Sequence, residues 1–247
     1  MSSLGRHDEV GQRLPLRARK KLATRRSLQR VALELVAQRG YAHVTVEDIA
    51  EAADVSPRTF FNYFASKEAA LLGVDPERAE VLRRRIAEQP ASMSPIEVLE
   101  SVLVDEVSTI SRQLDDLGGD TAEWLRCMKE AQVDPDLVAA RAAHLASLER
   151  ALAAGLAERL GTDLARDPYP VLLASTAMGV MRAVMLTWAR MGDAVEPSTL
   201  ARAAFRSLRE GLPPGSFGDL SQIGARPGEG ALARTSLLHD QSEVHHQ

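Results

Sequence analysis

The 247-residue chain has 45% hydrophobic and 26% charged residues, enough for one larger domain or two small ones with a real core. Its single cysteine, Cys127, excludes an internal disulfide and a multi-cysteine zinc site, and it fits a reducing cytoplasm. The net charge of −4 conceals an asymmetry: twelve Lys/Arg against seven Asp/Glu up to Lys67 give +5, leaving −9 on the remainder. Between Val10 and Leu33 stand eight basic residues and no acidic one, which suggests a local polyanion contact; the plain alternative is a solvated arm.

Residues 1–16 are polar and basic without periodicity, so they read as a flexible arm rather than a signal peptide. From about Arg17 to Arg39 a helix is expected, because Leu28, Val31, Ala32, Leu35 and Val36 recur at three- and four-residue spacing; Gly40 stops it. Thr45 reads as an N-cap with Asp48 completing an approximate capping box for a short helix ending near Asp54. Ser56 caps the next helix, with Pro57 at its first position, running to about Tyr63 or Phe64. Ser66 and Glu68 begin a fourth helix that could reach Glu88, with a possible break at Gly73–Pro76.

The second half reads as helical throughout. Ser94-Pro95, Asp134-Pro135, Asp167-Pro168 and Glu196-Pro197 open helices. Gly118-Gly119, Gly161, Gly192 and Gly211 close them, and a short helix carries Trp124, Leu125 and Met128. The apolar stretch from Pro170 to Ala189 is interrupted by Arg182 and reads as a buried helix rather than a membrane span. No strand alternation appears, so the expected fold is all-α: a helix-turn-helix domain over 17–67, a helical domain over 68–212, and a disordered tail over 213–247.

The informative stretch is TVEDIAEAADVSPRTFFNYFASKE, Thr45 to Glu68. Its second helix is too short to be stable alone, so Val55, Phe60 and Phe64 must anchor it. The other face then offers Arg58, Thr59, Asn62 and Tyr63, a set suited to the DNA major groove, which admits one helix. Arg58 suits a guanine edge, Asn62 an adenine edge or a phosphate, and Thr59 a thymine methyl. Thr45, Ser56, Tyr63 and Lys67 are candidate phosphate donors, and Arg25 of the basic first helix can add to them. An ordinary helical hairpin with a charged surface has the same spacing.

The run resembles the DNA-binding domain of the TetR family of bacterial repressors, through Thr45, Ile49-Ala50, Ala53, Val55-Ser56, Thr59, Phe61, Tyr63-Phe64 and Lys67-Glu68 over about residues 20–75. It departs from the family pattern at Asp54, in place of a turn glycine, at Phe61, in place of a tyrosine hydroxyl, and at Arg58, where small residues are frequent. The resemblance implies a homodimer made by the helices of 168–191 and 197–211, a near-palindromic operator, and a small-molecule effector. The C-terminal half is similar to the mycofactocin-regulator-like branch with acyl-CoA-type sensor domains, through Glu123-Trp124 to Met128, Ala177-Met178-Gly179, Ala183 and Trp188. Candidate effector residues are Leu103, Val107, Trp124, Met128, Met178, Met181 and Arg182; for each apolar one, plain core is the competing reading. Arg182 meets an acidic head group, pairs with Glu123 or faces solvent. No cofactor, metal site, membrane partner or catalytic motif is expected: a Gly-rich phosphate loop, metal-spaced His/Cys and a nucleophile elbow are all lacking. The alternatives to a regulator are a helical protein-interaction module and an enzyme without a recognisable motif.

Overall fold

The computed structural model describes residues 16–116, 134–191 and 195–214. The expectations for the N-terminal arm, the short helix with Trp124 and Met128, and nearly all of the C-terminal tail lie outside the described residues. Every described element is helical. In chain order these are α1 (Leu16–Arg39), a 3-10 turn (Tyr41–His43), α2 (Val46–Ala52), α3 (Pro57–Phe61), α4 (Lys67–Leu71), α5 (Pro76–Ala87), α6 (Pro95–Asp116), α7 (Pro135–Leu160), α8 (Tyr169–Met191) and α9 (Pro197–Arg209).

Two compact units emerge, one of residues up to Glu80 with Gln113–Leu148, the other of Val81–Arg112 with Glu149 onward. In the first, α1 buries Leu28, Val31, Ala32, Leu35 and Val36, the periodic stripe expected from the sequence. Gly40 takes φ 79° and returns its N–H to the Val36 carbonyl at 2.8 Å, ending α1 in a conformation that costs glycine little. The fourth helix is broken at the suspected place. α4 ends at Leu71, Gly73 adopts φ 63°, and Pro76 restarts the chain as α5, with the Asp75 carboxylate accepting the Glu77 N–H at 3.1 Å. Proline cannot supply the N–H a continuous helix would need there, whereas at a first turn that N–H has no partner to lose.

The second unit packs Leu82 and Ile86 of α5, Val98, Leu99, Val102, Leu103 and Val107 of α6, and Leu152 and Leu156 of α7 into one core. α8 and α9 pair through Ala174, Ala177, Met181, Val184 and Trp188 on one side and Leu200, Ala201, Ala204 and Phe205 on the other. Arg159 closes the 88–94 loop by donating to the carbonyls of Gln89 (2.5 Å), Pro90 (2.6 Å) and Met93 (2.8 Å). α5 and α7 approach so closely that a Cβ at Gly155 would stand 2.6 Å from the Arg83 carbonyl oxygen and 3.0 Å from the Ile86 Cβ. The obstacle is backbone, so Gly155→Ala is expected to destabilise this unit by about 1–3 kcal/mol, read as a lower urea midpoint at unchanged slope.

Among the described residues, α8 is the helix long and apolar enough to cross a membrane by length and composition. Five of its residues serve the protein core instead, as named above, while Tyr169, Val171 and Leu172 stay exposed.

Candidate nucleic-acid interface

The site is built on α2, the turn after it, and α3. Thr45 and Asp48 form a complete capping box: the Thr45 hydroxyl accepts from the Asp48 N–H at 3.1 Å, and Asp48 Oδ2 accepts from the Thr45 N–H at 2.8 Å. The Thr45 O–H also donates to Asp48 Oδ2 at 2.5 Å. These bonds and nearby Arg39 hold the Asp48 carboxyl below its ordinary range, the hydroxyl contributing most. The turn between the helices carries Asp54 at φ 55°, the left-handed region in which the sequence pattern usually has glycine. A short polar side chain tolerates that region better than most, but at a cost. Asp54→Gly is therefore expected to raise stability by about 0.5 kcal/mol, the relieved strain exceeding the added chain entropy; a lower thermal midpoint would contradict this.

α3 is a single turn and a half. Ser56 caps it by accepting the Thr59 N–H at 3.1 Å, and Pro57 occupies its first position. Its inward side is fixed by Phe60 and Phe64, fully and almost fully buried, with ring centroids 5.9 Å apart. Ser56, Arg58, Phe61 and Asn62 are exposed, and Thr59 and Tyr63 half-exposed. Arg58 and Asn62 have no side-chain hydrogen bond or ion pair within the described residues, so their donors are available for an outside partner. Thr59 shares its hydroxyl with that of Ser56 at 2.9 Å.

Two candidate contact residues, Arg25 and Lys67, have further work that the sequence did not reveal, and a third, Thr45, is engaged in its capping box. Arg25 reaches from α1 to donate to the Tyr63 carbonyl at 2.7 Å and to the Val74 carbonyl, while its guanidinium lies 4.3 Å from the centre of the Phe64 ring. It thus ties α1, the turn after α3 and the break before α5 into one body. Lys67 donates to the carbonyls of Tyr41 (3.2 Å) and Val44 (3.1 Å) and sits 3.9 Å from the centre of the Tyr41 ring. The Thr45 hydroxyl proton is taken by Asp48. A cation in this run reads as a phosphate donor from sequence alone, because carbonyls left over by short helices carry no sequence signature.

Tyr41 is the functional neighbour that sequence reasoning missed. Its hydroxyl donates to Glu68 at 2.6 Å, fastening the 3-10 turn to α4. Burial, then the Glu68 hydrogen bond, push the phenol up, so it remains a neutral donor. Burial works to raise the Glu68 carboxyl, but hydrogen bonds from Ser66 and Tyr41 outweigh it and hold the group below its ordinary range.

Of the candidate effector residues, Leu103, Val107 and Met181 are buried in the second unit, Met178 is half-buried and Arg182 exposed. Trp124 and Met128 lie outside the described residues. No group of three or more His, Cys, Asp or Glu is placed to hold a metal ion among the described residues.

This geometry accords with what known proteins share with the chain. The family described as "Bacterial regulatory proteins, tetR family" matches residues 28–73, and the "MftR C-terminal domain" matches residues 118–213. The HTH-type transcriptional regulator TcmR of Streptomyces glaucescens is 34% identical over 210 residues, covering 85% of this chain and 92% of that protein. The chain belongs to the TetR family.

Within the TetR family it falls in the MftR-like branch, as the C-terminal match indicates. The putative mycofactocin biosynthesis transcriptional regulator MftR of Mycobacterium tuberculosis (strain ATCC 25618 / H37Rv) is 28% identical over 197 residues, 78% of this chain and 93% of that one. The TetR fold is shared with the transcriptional regulator FadR of Bacillus subtilis, solved in complex with stearoyl-CoA. The TM-score is 0.50 at 21% identity, with 76% of this chain and 98% of that one covered. Members of this kind are transcription regulators rather than enzymes, and so is this TetR protein.

Proposed function

We propose that the chain is a cytoplasmic, homodimeric, ligand-responsive repressor whose α3 enters the major groove of a near-palindromic operator. One observation carries the reading: a helix of five residues is clamped by Phe60 and Phe64 while Arg58 and Asn62 stand exposed with unspent donors. Arg58 pairs with a guanine edge, Asn62 with an adenine edge or a phosphate, and the Thr59 methyl meets a thymine methyl. Ser56 and Tyr63 hold the DNA backbone, joined by the basic residues before Leu33. Arg25, Thr45 and Lys67 position this surface through their internal bonds, so any phosphate contact they make comes after that duty.

The dimer forms through α8 and α9. Along α8, Ser175, Gly179 and Ala183 lie exposed at four-residue spacing, and a Cβ at Gly179 would meet nothing. Small side chains at that spacing let a second copy approach closely. A two-fold dimer places its reading helices roughly 34 Å apart on one face of B-DNA.

The effector is an apolar, acyl-type molecule held within the second unit, among α6, the second half of α7 and α8. Leu103, Val107, Met178 and Met181 supply an adaptable apolar wall, and Arg182 is the candidate for an acidic head group. By binding preferentially the dimer whose reading heads are misplaced for DNA, it releases the operator.

Fluorescence anisotropy with an inverted-repeat duplex selected by the protein, titrated at several salt concentrations, tests the DNA-binding core of the proposal. Affinity that falls steeply and log-linearly with salt, and exceeds that for a scrambled duplex by at least about a thousandfold, is expected. Equal affinity for both duplexes would leave a helical interaction module as the better description.

A further inference from the structure

A cavity of about 260 Å³ lies between α4, the Gly73–Pro76 break, the start of α5 and the first half of α7, entirely inside the first compact unit. Four alanines (69, 79, 140 and 143) with Val74, Pro76 and Leu148 make most of its wall apolar; Ser66, Asp75, His144 and Ser147 supply the polar part. The volume corresponds to roughly nine waters and falls just below the range of pockets for drug-sized ligands, so it suits a small occupant.

His144 gives the cavity its chemistry. Its imidazole makes no hydrogen bond with any described residue, although it is half-buried and flanked by groups that can bond. Burial, then the positive charge of Arg78, push its pKa down, so it is neutral at physiological pH and presents one donor and one acceptor. Asp75, which also lines the cavity, is an acidic residue and disfavours an anionic guest. The positive potential from Arg78 at His144 disfavours a cationic one. The chemistry that remains is a hydroxyl, which can donate and accept, on a short hydrocarbon body.

We propose that this cavity is a binding site for a small neutral alcohol, its hydroxyl bonded to the His144 imidazole and its apolar body packed against the alanines and Val74. The site belongs to a different compact unit from Leu103, Val107 and Met181, and its guest differs from an acyl effector in both charge and size. The guest would touch Val74–Pro76, the segment whose Val74 carbonyl Arg25 grips. Binding here stands or falls independently of DNA recognition.

The test uses the full chain labelled with ¹³C and ¹⁵N in its six histidines, titrated without DNA with benzyl alcohol, benzylamine or benzoate. The His144 resonance is assigned by its loss in His144→Gln. Benzyl alcohol is expected to move that resonance saturably in the millimolar range, with the two charged analogues binding at least about tenfold more weakly. Ala140→Leu and Ala143→Leu, the second at an exposed position where a larger side chain leaves the fold intact, are expected to abolish the shift while the melting transition is retained. The site is refuted by the absence of a saturable shift in the parent. It is equally refuted if benzoate binds as well as the alcohol, or if a folded Ala143→Leu protein responds like the parent.

Discussion

Arg25→Gln is expected to cost about 2–4 kcal/mol of stability and to weaken operator binding without changing the number of ions released. The magnitude follows from what is lost: two charge-assisted bonds, to the Tyr63 and Val74 carbonyls, and the contact with the Phe64 ring. Partial exposure of the side chain keeps the figure below the sum for a fully buried network. Without the guanidinium, the last turn after α3 loses its tie to α1, and the carbonyls it satisfied must find water.

Arg25→Lys separates this staple from a simple phosphate contact. Lysine keeps the charge but cannot present two fixed donors to two carbonyls. A staple therefore predicts that Arg25→Lys resembles Arg25→Gln in urea denaturation and leaves the salt slope as in the parent. A phosphate contact predicts near-parental stability, with the slope reduced by about one only in Arg25→Gln.

Arg58→Ala is the second large expected effect, and it has the opposite profile. Arg58 is exposed and without a hydrogen bond or ion pair among the described residues, so its loss leaves stability within about 0.5 kcal/mol of the parent. Discrimination between the preferred operator and one altered at a single base pair is expected to fall by about 1–3 kcal/mol, roughly five- to 150-fold. Binding to nonspecific DNA should change far less. If discrimination at every base pair were retained, Arg58 would not be a base-reading residue.

The two residues show where sequence reasoning reaches and where it stops. Arg58 could be placed because the period of α3 and the turn after it is fixed by their apolar members: once Phe60 and Phe64 face inward, Arg58 and Asn62, each two residues from Phe60, must face out. The caps at Thr45 and Ser56, and the helix start at Ser66, were legible for a similar reason, since a helix start is a local event with a local signature. The break after α4 was visible as an ambiguity, and Gly73 with Pro76 decided it. The duties of Arg25 and Lys67 were not legible. Each bonds carbonyls 23 to 49 residues away, and any residue type can offer a carbonyl. The cavity beside His144 was equally hidden, because it depends on which part of α7 meets the break at Gly73–Pro76. The effector residues divide in the same way: Leu103, Val107 and Met181 were legible as apolar, but periodicity does not distinguish a core from the wall of a pocket.

The central claim is that the exposed side of α3 reads base pairs, and selection from a pool of randomised duplex DNA tests it most directly, run in parallel with the parent and Arg58→Ala. The account predicts that the parent enriches an inverted repeat with half-sites about one helical turn apart, and that the variant enriches the same repeat with one symmetric pair of positions degenerate. Enrichment of no motif by the parent, or of an equally sharp motif by both proteins, would contradict it.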